Sequence, residues 1–456
     1  MAGSFGDPPD RRSLDRQHQG SYLDGRFTDA LEVMAELEQA GYKARLAGGC
    51  VRDRLLGRTP YDYDIVTDAT PEQVIRSLKS FNHKVIPTGI AHGTVTALTR
   101  SCPIEITTLR RDVKTDGRRA TVAFGADFEE DARRRDFTIN ALFEDKHGTI
   151  YDYVQGQEDI KNRVLRFVGD PSERIAEDAL RVLRFFRFWA RLGFEPAGGT
   201  IDAIGPLVSG LKKMSQERIT SEILQLFAGP HLTQTLSSLD KSRTLLTVDR
   251  SLGLGLQCYL AKPPKLPHPL IGVDRDHQSL AMISLLLQLA HRVETLDYLQ
   301  WGRAFKMKNA DKKVLTLAHH LFESVPKTSA VRGEKLYFIT QCQIKNFGFQ
   351  NFFYPIWSSF LDISDQHLDS SSRQDLRARL EDLASLATQF QSLLAEKMPL
   401  DGQSIQSQFP HLTGEALGAA LYSARISWLG GDWKTPEEGV QWLKTFFHDS
   451  QPKRPF

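Results

Sequence analysis

Asp62-Tyr63-Asp64 leads into the apolar run Ile65-Val66, and on a strand of period two both carboxylates fall on one face. Acceptor-only side chains so placed suit Mg²⁺, which takes oxygen ligands. In a two-metal site one ion acidifies an attacking hydroxyl, and the other bridges a triphosphate and steadies the leaving oxygen. A solvated turn also accounts for a bare Asp-x-Asp. The segment just upstream favours the metal. Leu46-Ala47-Gly48-Gly49-Cys50-Val51-Arg52-Asp53 sits where a strand hands over to a helix. Gly48 and Gly49 let backbone N–H groups approach a phosphate there, and Arg52 adds a guanidinium fork for the same anion. Glu105, on the otherwise apolar strand Pro103 to Thr107, is either a third metal ligand or a solvent-facing strand position.

The elements that must carry these residues follow from periodicity. Ala30, Val33, Met34 and Leu37 mark an amphipathic helix from Thr28 to Gln39, stopped by Gly41. Short β-rich runs come next: Lys43 to Ala47, Tyr61 to Thr67, His83 to Pro87, Gly93 to Thr99, Ile104 to Leu109 and Ala120 to Phe124. Beyond about Asp170 the periodicity is helical, over Ile175 to Leu192, Ser215 to Phe227, Gln278 to Leu299, Lys312 to Phe322, Asp375 to Glu396 and Pro436 to Phe447. Gly253 to Pro269, with Gly-Leu-Gly-Leu and four prolines, reads as a loop or boundary, and Gly402 to Pro410 as another break. The expected fold class is α+β: a small mixed sheet with helices, then an all-helical remainder.

At 456 residues the chain is too long for one core, and roughly 150 residues per domain suggests about three. With 41% hydrophobic and 25% charged residues it buries real cores and is not wholly disordered. Fifty-eight Lys+Arg against 56 Asp+Glu give +2, so any nucleic-acid partner is held by a local basic surface rather than by net charge. Cys50, Cys102, Cys258 and Cys342 form no CxxC pair and read as reduced thiols. The longest apolar run, Leu280 to Ala290, is broken by Ser284 and Gln288 and falls short of the ~20 residues of a membrane span. The first 25 residues lack the apolar stretch of a secretory signal and are expected to be a disordered leader of a cytoplasmic protein. Phe185, Phe186, Phe188 and Trp189 read as core, His319-His320 as ordinary core or surface histidines, and no feature identifies a protein partner.

Leu46 to Glu72 (LAGGCVRDRLLGRTPYDYDIVTDATPE) resembles the nucleotidyltransferase motif of class II CCA-adding enzymes and bacterial poly(A) polymerases. Arg134-Arg135-Asp136-Phe137-Thr138-Ile139-Asn140-Ala141 is similar to the family's second motif, which implies contacts from Arg135, Asp136 and Asn140 to the ribose and triphosphate of an incoming nucleotide. Gly156 to Ile160 and Arg163 to Gly169 resemble the third motif, a hinge between head and neck. Glu177-Asp178-Ala179-Leu180-Arg181 resembles the fourth. Three apart on a helix, Asp178 and Arg181 share a face; an acceptor beside a donor complements the pairing edge common to cytosine and adenine, with Glu177 in support. An Asp–Arg surface pair is the other reading of that spacing. Ser215 to Ile219 matches the fifth motif, a Ser-capped helix bracing the site, and Arg110 to Arg119 resembles the family's flexible loop, which implies addition of A as well as C; a hairpin turn also explains Asp116-Gly117.

The resemblance implies a polymerase-β-like nucleotidyltransferase head over 26–155, a helical neck with a nucleobase-reading helix over 156–230, a helical body over 231–330 and a tRNA-binding tail over 331–456. It also implies template-independent addition of CMP and AMP, from CTP and ATP with two Mg²⁺ ions, to the tRNA 3′ acceptor end. An A-adding enzyme or poly(A) polymerase on the same scaffold is the nearest alternative, and a non-catalytic RNA-binding relative a more remote one.

Overall fold

The computed structural model describes residues 24–115, 120–261, 278–291, 293–324, 356, 370–389 and 397–449. The leader up to residue 23, the loop tip at 116–119 and the proline-rich stretch at 262–277 lie outside these. Two compact units divide the chain, Met1–Met214 and Ser215–Phe456.

The first unit runs α1 (Gly25–Gln39), β1 (Ala44–Ala47), α2 (Gly49–Leu55), β2 (Asp64–Thr67), α3 (Pro71–Ser80), β3 (Lys84–Gly89), β4 (Thr94–Leu98), β5 (Pro103–Thr108), β6 (Arg110–Thr115) and β7 (Ala120–Phe124). It continues through α4 (Phe128–Arg134), β8 (Leu142–Glu144), β9 (Ile150–Asp152), α5 (Gly156–Asn162), β10 (Val164–Leu165), α6 (Pro171–Glu177), α7 (Arg181–Leu192), β11 (Glu195–Pro196) and α8 (Thr200–Leu207). Seven strands form one sheet in the order β3-β4-β5-β2-β1-β8-β9, antiparallel except for the β2–β5 pair. Register puts Leu46, Ile65, Ile106 and Val95 in one buried row, which packs with the apolar faces of α1 (Ala30, Val33, Met34, Leu37) and α3 (Val74, Leu78). Asp64, Glu105 and Thr96 form the next row, and side-chain alternation turns it to the opposite face. Of the expected flexible loop, Arg110–Thr115 form β6, which pairs antiparallel with β7, and 116–119 lie outside the described residues.

Two helical expectations in this unit change. Ile175 to Leu192 is not one helix: α6 ends at Glu177, Asp178 is extended at φ −146°, and α7 starts at Arg181. The cause is local, since Asp178 Oδ1 accepts the Leu180 N–H at 3.1 Å and so competes with helical bonding. The region also retains a parallel two-residue pair, β10 with β11, so the neck is not purely helical. Phe185 and Phe186 are fully buried and Phe188 and Trp189 nearly so, a core role as expected.

The described residues of the second unit form α9 (Gln216–Phe227), α10 (Leu232–Lys241), α11 (Thr244–Val248), α12 (Arg250–Ala261), α13 (Gln278–His291), α14 (Tyr298–Ala304), α15 (Asn309–Ser324), α16 (Ser370–Gln389), α17 (Gly402–Gln408), α18 (Gly414–Gly430) and α19 (Pro436–Asp449). Ser215 stands at the N-cap of α9, but its hydroxyl makes no capping bond. Gly402 opens a helix capped by Asp401 instead of a break. His319 stacks on Tyr298 at 4.2 Å, a packing role. Gly253 and Gly255, read as loop, lie inside α12. A Cβ on Gly255 would come 2.1 Å from the Leu286 carbonyl oxygen of α13, so glycine is what permits the close approach of the two backbones. Gly255→Ala sets a helix-propensity gain of ~1 kcal/mol against an overpacking cost of ~1–3 kcal/mol or more. The clash falls on backbone, which cannot swing away, so the cost wins. We expect a net loss of about 2 kcal/mol in urea unfolding, and an unchanged midpoint would contradict this packing.

Candidate active site

The strand-to-helix turn at Gly48 adopts φ 75°, ψ −122°, a conformation that side chains with a Cβ rarely take. Space is as restrictive, because a Cβ there would meet Arg135 Nη1 at 3.0 Å. The Gly48 N–H is bonded to Leu142 O at 3.0 Å, while the Gly49 amide, first in α2, belongs to the group with no acceptor inside the helix. Arg52 does not present an exposed fork. It is 2% exposed, its Nε donates to Asp53 Oδ1 at 2.9 Å and its Nη1 to Asn140 Oδ1, as a buried guanidinium requires. Its Nη2 lies 3.6 Å from where a Gly49 Cβ would stand, so the charge sits beneath the turn.

Asp62 and Asp64 are exposed and flank Tyr63, which is 1% exposed, so the alternation read from the sequence holds. The α1 start clamps this loop: Arg26 Nη1 donates to Tyr61 O at 2.7 Å, Tyr63 OH donates to Asp24 Oδ2 at 3.1 Å, and Asp24 holds the Arg26 guanidinium. Register sets Asp64 directly beside Glu105. Although its surface faces solvent, Asp64 is crowded. The protein packed around it, then the charges of Asp62 and Glu105, push its pKa up to about 6, with Arg135 pulling the other way. Three like-charged groups in one neighbourhood are a donor set that a divalent cation would relieve. Among the described residues, no group of three or more His, Cys, Asp or Glu converges into a metal cage by protein ligands alone. Mg²⁺ commonly takes one or two carboxylates and substrate phosphates rather than such a cage, so the Asp62/Asp64 pair fits it.

Asp131, fully buried in the first turn of α4, orients the second-motif arginines: Arg135 Nε donates to its Oδ2 at 3.0 Å and Arg134 Nε to its Oδ1 at 2.8 Å. Arg135 Nη1 then reaches Asn140 O at 3.2 Å beside Gly48. Asp136 is buried with Oδ2 forked by Arg184 Nε and Nη2 at 2.8 and 2.6 Å, and its Oδ1 accepts from Phe137 N at 2.8 Å. Arg181 Nη1 donates to Glu177 Oε2 and Arg174 O at 2.6 and 2.8 Å, and Nη2 to Arg134 O at 3.2 Å. Those bonds take three of the guanidinium's five donors. Asp178 and Arg181 therefore flank the break between α6 and α7 and do not share a helical face.

A family model described as the Poly A polymerase head domain matches residues 44–166, and one described as the probable RNA and SrmB-binding site of polymerase A matches residues 193–247. The CCA tRNA nucleotidyltransferase 1, mitochondrial, of Danio rerio is 45% identical over 226 residues, 48% of this chain and 52% of that protein. The CCA-adding enzyme of Leuconostoc mesenteroides is 44% identical over 216 residues, 47% of this chain and 53% of that protein. The match spans about half the length of these curated relatives. Over the whole fold, the crystal structure of Bacillus stearothermophilus CCA-adding enzyme in complex with CTP superposes with a TM-score of 0.68 at 26% identity, covering 94% of this chain and 99% of that one. The family match therefore lies in the head, residues 44–166, with a second matched segment over 193–247.

Within the head, the structure brings Gly48, Arg52, Arg135 and Asn140 together, and Asp64 stands close enough to Arg135 to feel its charge. Sequence reasoning passed over Arg184, Asp131, Asp53 and Arg191. For Arg184 and Arg191 a signal existed: Arg181, Arg184, Arg187 and Arg191 recur at spacings of three and four along a helix whose other positions are apolar, which lines charge along one face.

Proposed function

We propose that the chain is a template-independent nucleotidyltransferase that joins CMP and AMP from CTP and ATP to the 3′ end of tRNA with release of pyrophosphate. The observation that carries this reading is the exposed Asp62/Asp64 pair, with Glu105 alongside, on the sheet face reached by Arg135 from the Gly48-Gly49 turn. Asp62 and Asp64 would hold two Mg²⁺ ions, with Glu105 alongside adding negative charge; bound there, the ions would offset triphosphate charge and acidify the attacking hydroxyl. Gly49 and Arg135 take the triphosphate, Arg52 adds positive charge from beneath, and Asp136 and Asn140, buried and bonded to Arg184 and Arg52, would exchange part of that bonding for the ribose. The bond from the tRNA 3′ oxygen to the α-phosphorus forms as the bond to the bridging oxygen breaks. Catalysis is then chiefly positioning and charge neutralisation.

Asp178 and Arg181 read the base across the α6–α7 break. Cytosine and adenine offer an amino donor beside a ring-nitrogen acceptor, whereas uracil and guanine set a carbonyl against Asp178, a difference of ~1–3 kcal/mol. The helical half grips the acceptor arm largely through phosphates. No described helix is long and apolar enough to cross a membrane. Our reading of location is the cytoplasm; the Danio rerio relative is named as mitochondrial, and recovery of this chain with mitochondria on fractionation would overturn it.

The test is incorporation of each labelled NTP with Mg²⁺ onto tRNA transcripts ending before CCA, after C and after CC, with an unrelated RNA as control. Defined CCA completion is the expected result. A single A added only after CC would make it an A-adding specialist, long A tails on any RNA a poly(A) polymerase, and no transfer would leave a binding protein.

A further inference from the structure

Besides the Arg181 Nη2 bond to Arg134 O, two ion pairs fasten helix α7 to the head. Arg184 forks Asp136, and seven residues later Arg191 Nη2 donates to Asp53 Oδ2 at 3.0 Å. The two aspartates are joined inside the head: Asp53 Oδ1 accepts Arg52 Nε at 2.9 Å, Arg52 Nη1 donates to Asn140 Oδ1, and Asn140 Nδ2 donates to Asp136 Oδ1 at 3.4 Å. Six side chains thus close a circuit that leaves α7 at one arginine and returns at the other, with the nearly buried ring of Phe188 beneath Arg52 and Arg184.

With the apolar side of α7 buried, these two ion pairs, about 10 Å apart at 1.5 Å per residue, register its charged face on the head, and Arg181, one turn before Arg184, lies on that face. We propose that Asp53 and Arg191 are specificity-positioning residues: they anchor the far end of α7 beneath the phosphate turn and so hold Arg181 towards the nucleobase. This rests on the reading that Arg181 recognises the base. Arg191 has a half-exposed side chain, so as a simple surface ion pair it would do little for stability. Its effect should therefore appear in base choice rather than in folding.

The experiment compares kcat/KM for CTP and UTP on a CCA-less tRNA in wild type, Arg191→Ala, Arg191→Lys, Arg181→Ala and the Arg181→Ala/Arg191→Ala double variant, each checked by thermal unfolding. We expect Arg191→Ala to cut the CTP-over-UTP preference roughly tenfold, about the discrimination of one good base contact. The loss should fall mainly on KM, Arg191→Lys should keep most of the preference, and the double variant should be no looser than Arg181→Ala, since both act through one group. An unchanged preference in Arg191→Ala, with or without a lowered Tm, overturns the proposal while leaving base reading intact. If Arg181→Ala itself leaves the preference unchanged, the base-reading assignment fails first. Should Arg191→Ala fold poorly, the near-isosteric Asp53→Asn answers the same question.

Discussion

Replacing Asp64 with alanine is expected to abolish nucleotide transfer, by at least about 10³-fold, while the chain stays folded and becomes slightly more stable in chelator. The carboxylate lies in the exposed row beside Glu105 and is crowded by Asp62, so its pKa of about 6 is above the ordinary value of 3.8. An acid whose folded pKa is raised binds more protons folded than unfolded, so its contribution to stability is present at low pH and is lost as pH rises from about 4 through 6. At pH 7 the ionised group is therefore a burden on the fold, and its removal relieves like-charge repulsion. Transfer activity with Mg²⁺ and thermal unfolding in EDTA together test this. Activity within tenfold of wild type would sink the metal assignment, and a large drop in Tm would make Asp64 structural.

Asp136→Asn is expected to do the reverse, costing stability as well as nucleotide binding. Burial by itself would raise the Asp136 pKa, but the Arg184 guanidinium, with hydrogen bonds from Arg184, the Phe137 N–H and Asn140, outweighs it and holds the carboxyl below its usual range. A depressed carboxylate contributes stability that is full above its unfolded value near 4 and is lost as pH falls through the lower folded value. The asparagine amide turns a donor or a weaker acceptor towards Arg184, which is a third exposed and can partly turn to water. We therefore expect a loss of about 3 kcal/mol, the low end for breaking a buried pair, and a shallower decline of stability below pH 4. Urea unfolding at pH 7 and pH 3 measures both, and equal losses at the two pH values would contradict the pairing.

How much of this was legible in the sequence differs residue by residue. The Asp62-Tyr63-Asp64 alternation and the Gly48 turn were readable because each depends on neighbours in the chain. The interruption at Asp178 was hidden, since apolar periodicity runs through it and the competing bond to Leu180 N is a single local event. Gly253 and Gly255 misled in the other direction: their helix cost is a local property, while the Leu246 and Leu286 contacts that require them come from other helices. Arg191 and Asp53 stand 138 positions apart, and nothing local joins them.

The seam between the second and third motifs has a consequence for recombination. Thr138 N donates to Arg166 O, Val168 N to Asp136 O, Thr138 Oγ1 to the buried Asp159 carboxylate, and a Cβ on Gly156 would stand 2.2 Å from Thr138 O. A chimera joined at 155/156, the edge of the head as motifs alone draw it, would graft one half of these stitches onto a stranger's other half. Exchange at Met214/Ser215 keeps every stitch within one parent, and it is there that relatives should trade parts without losing the fold.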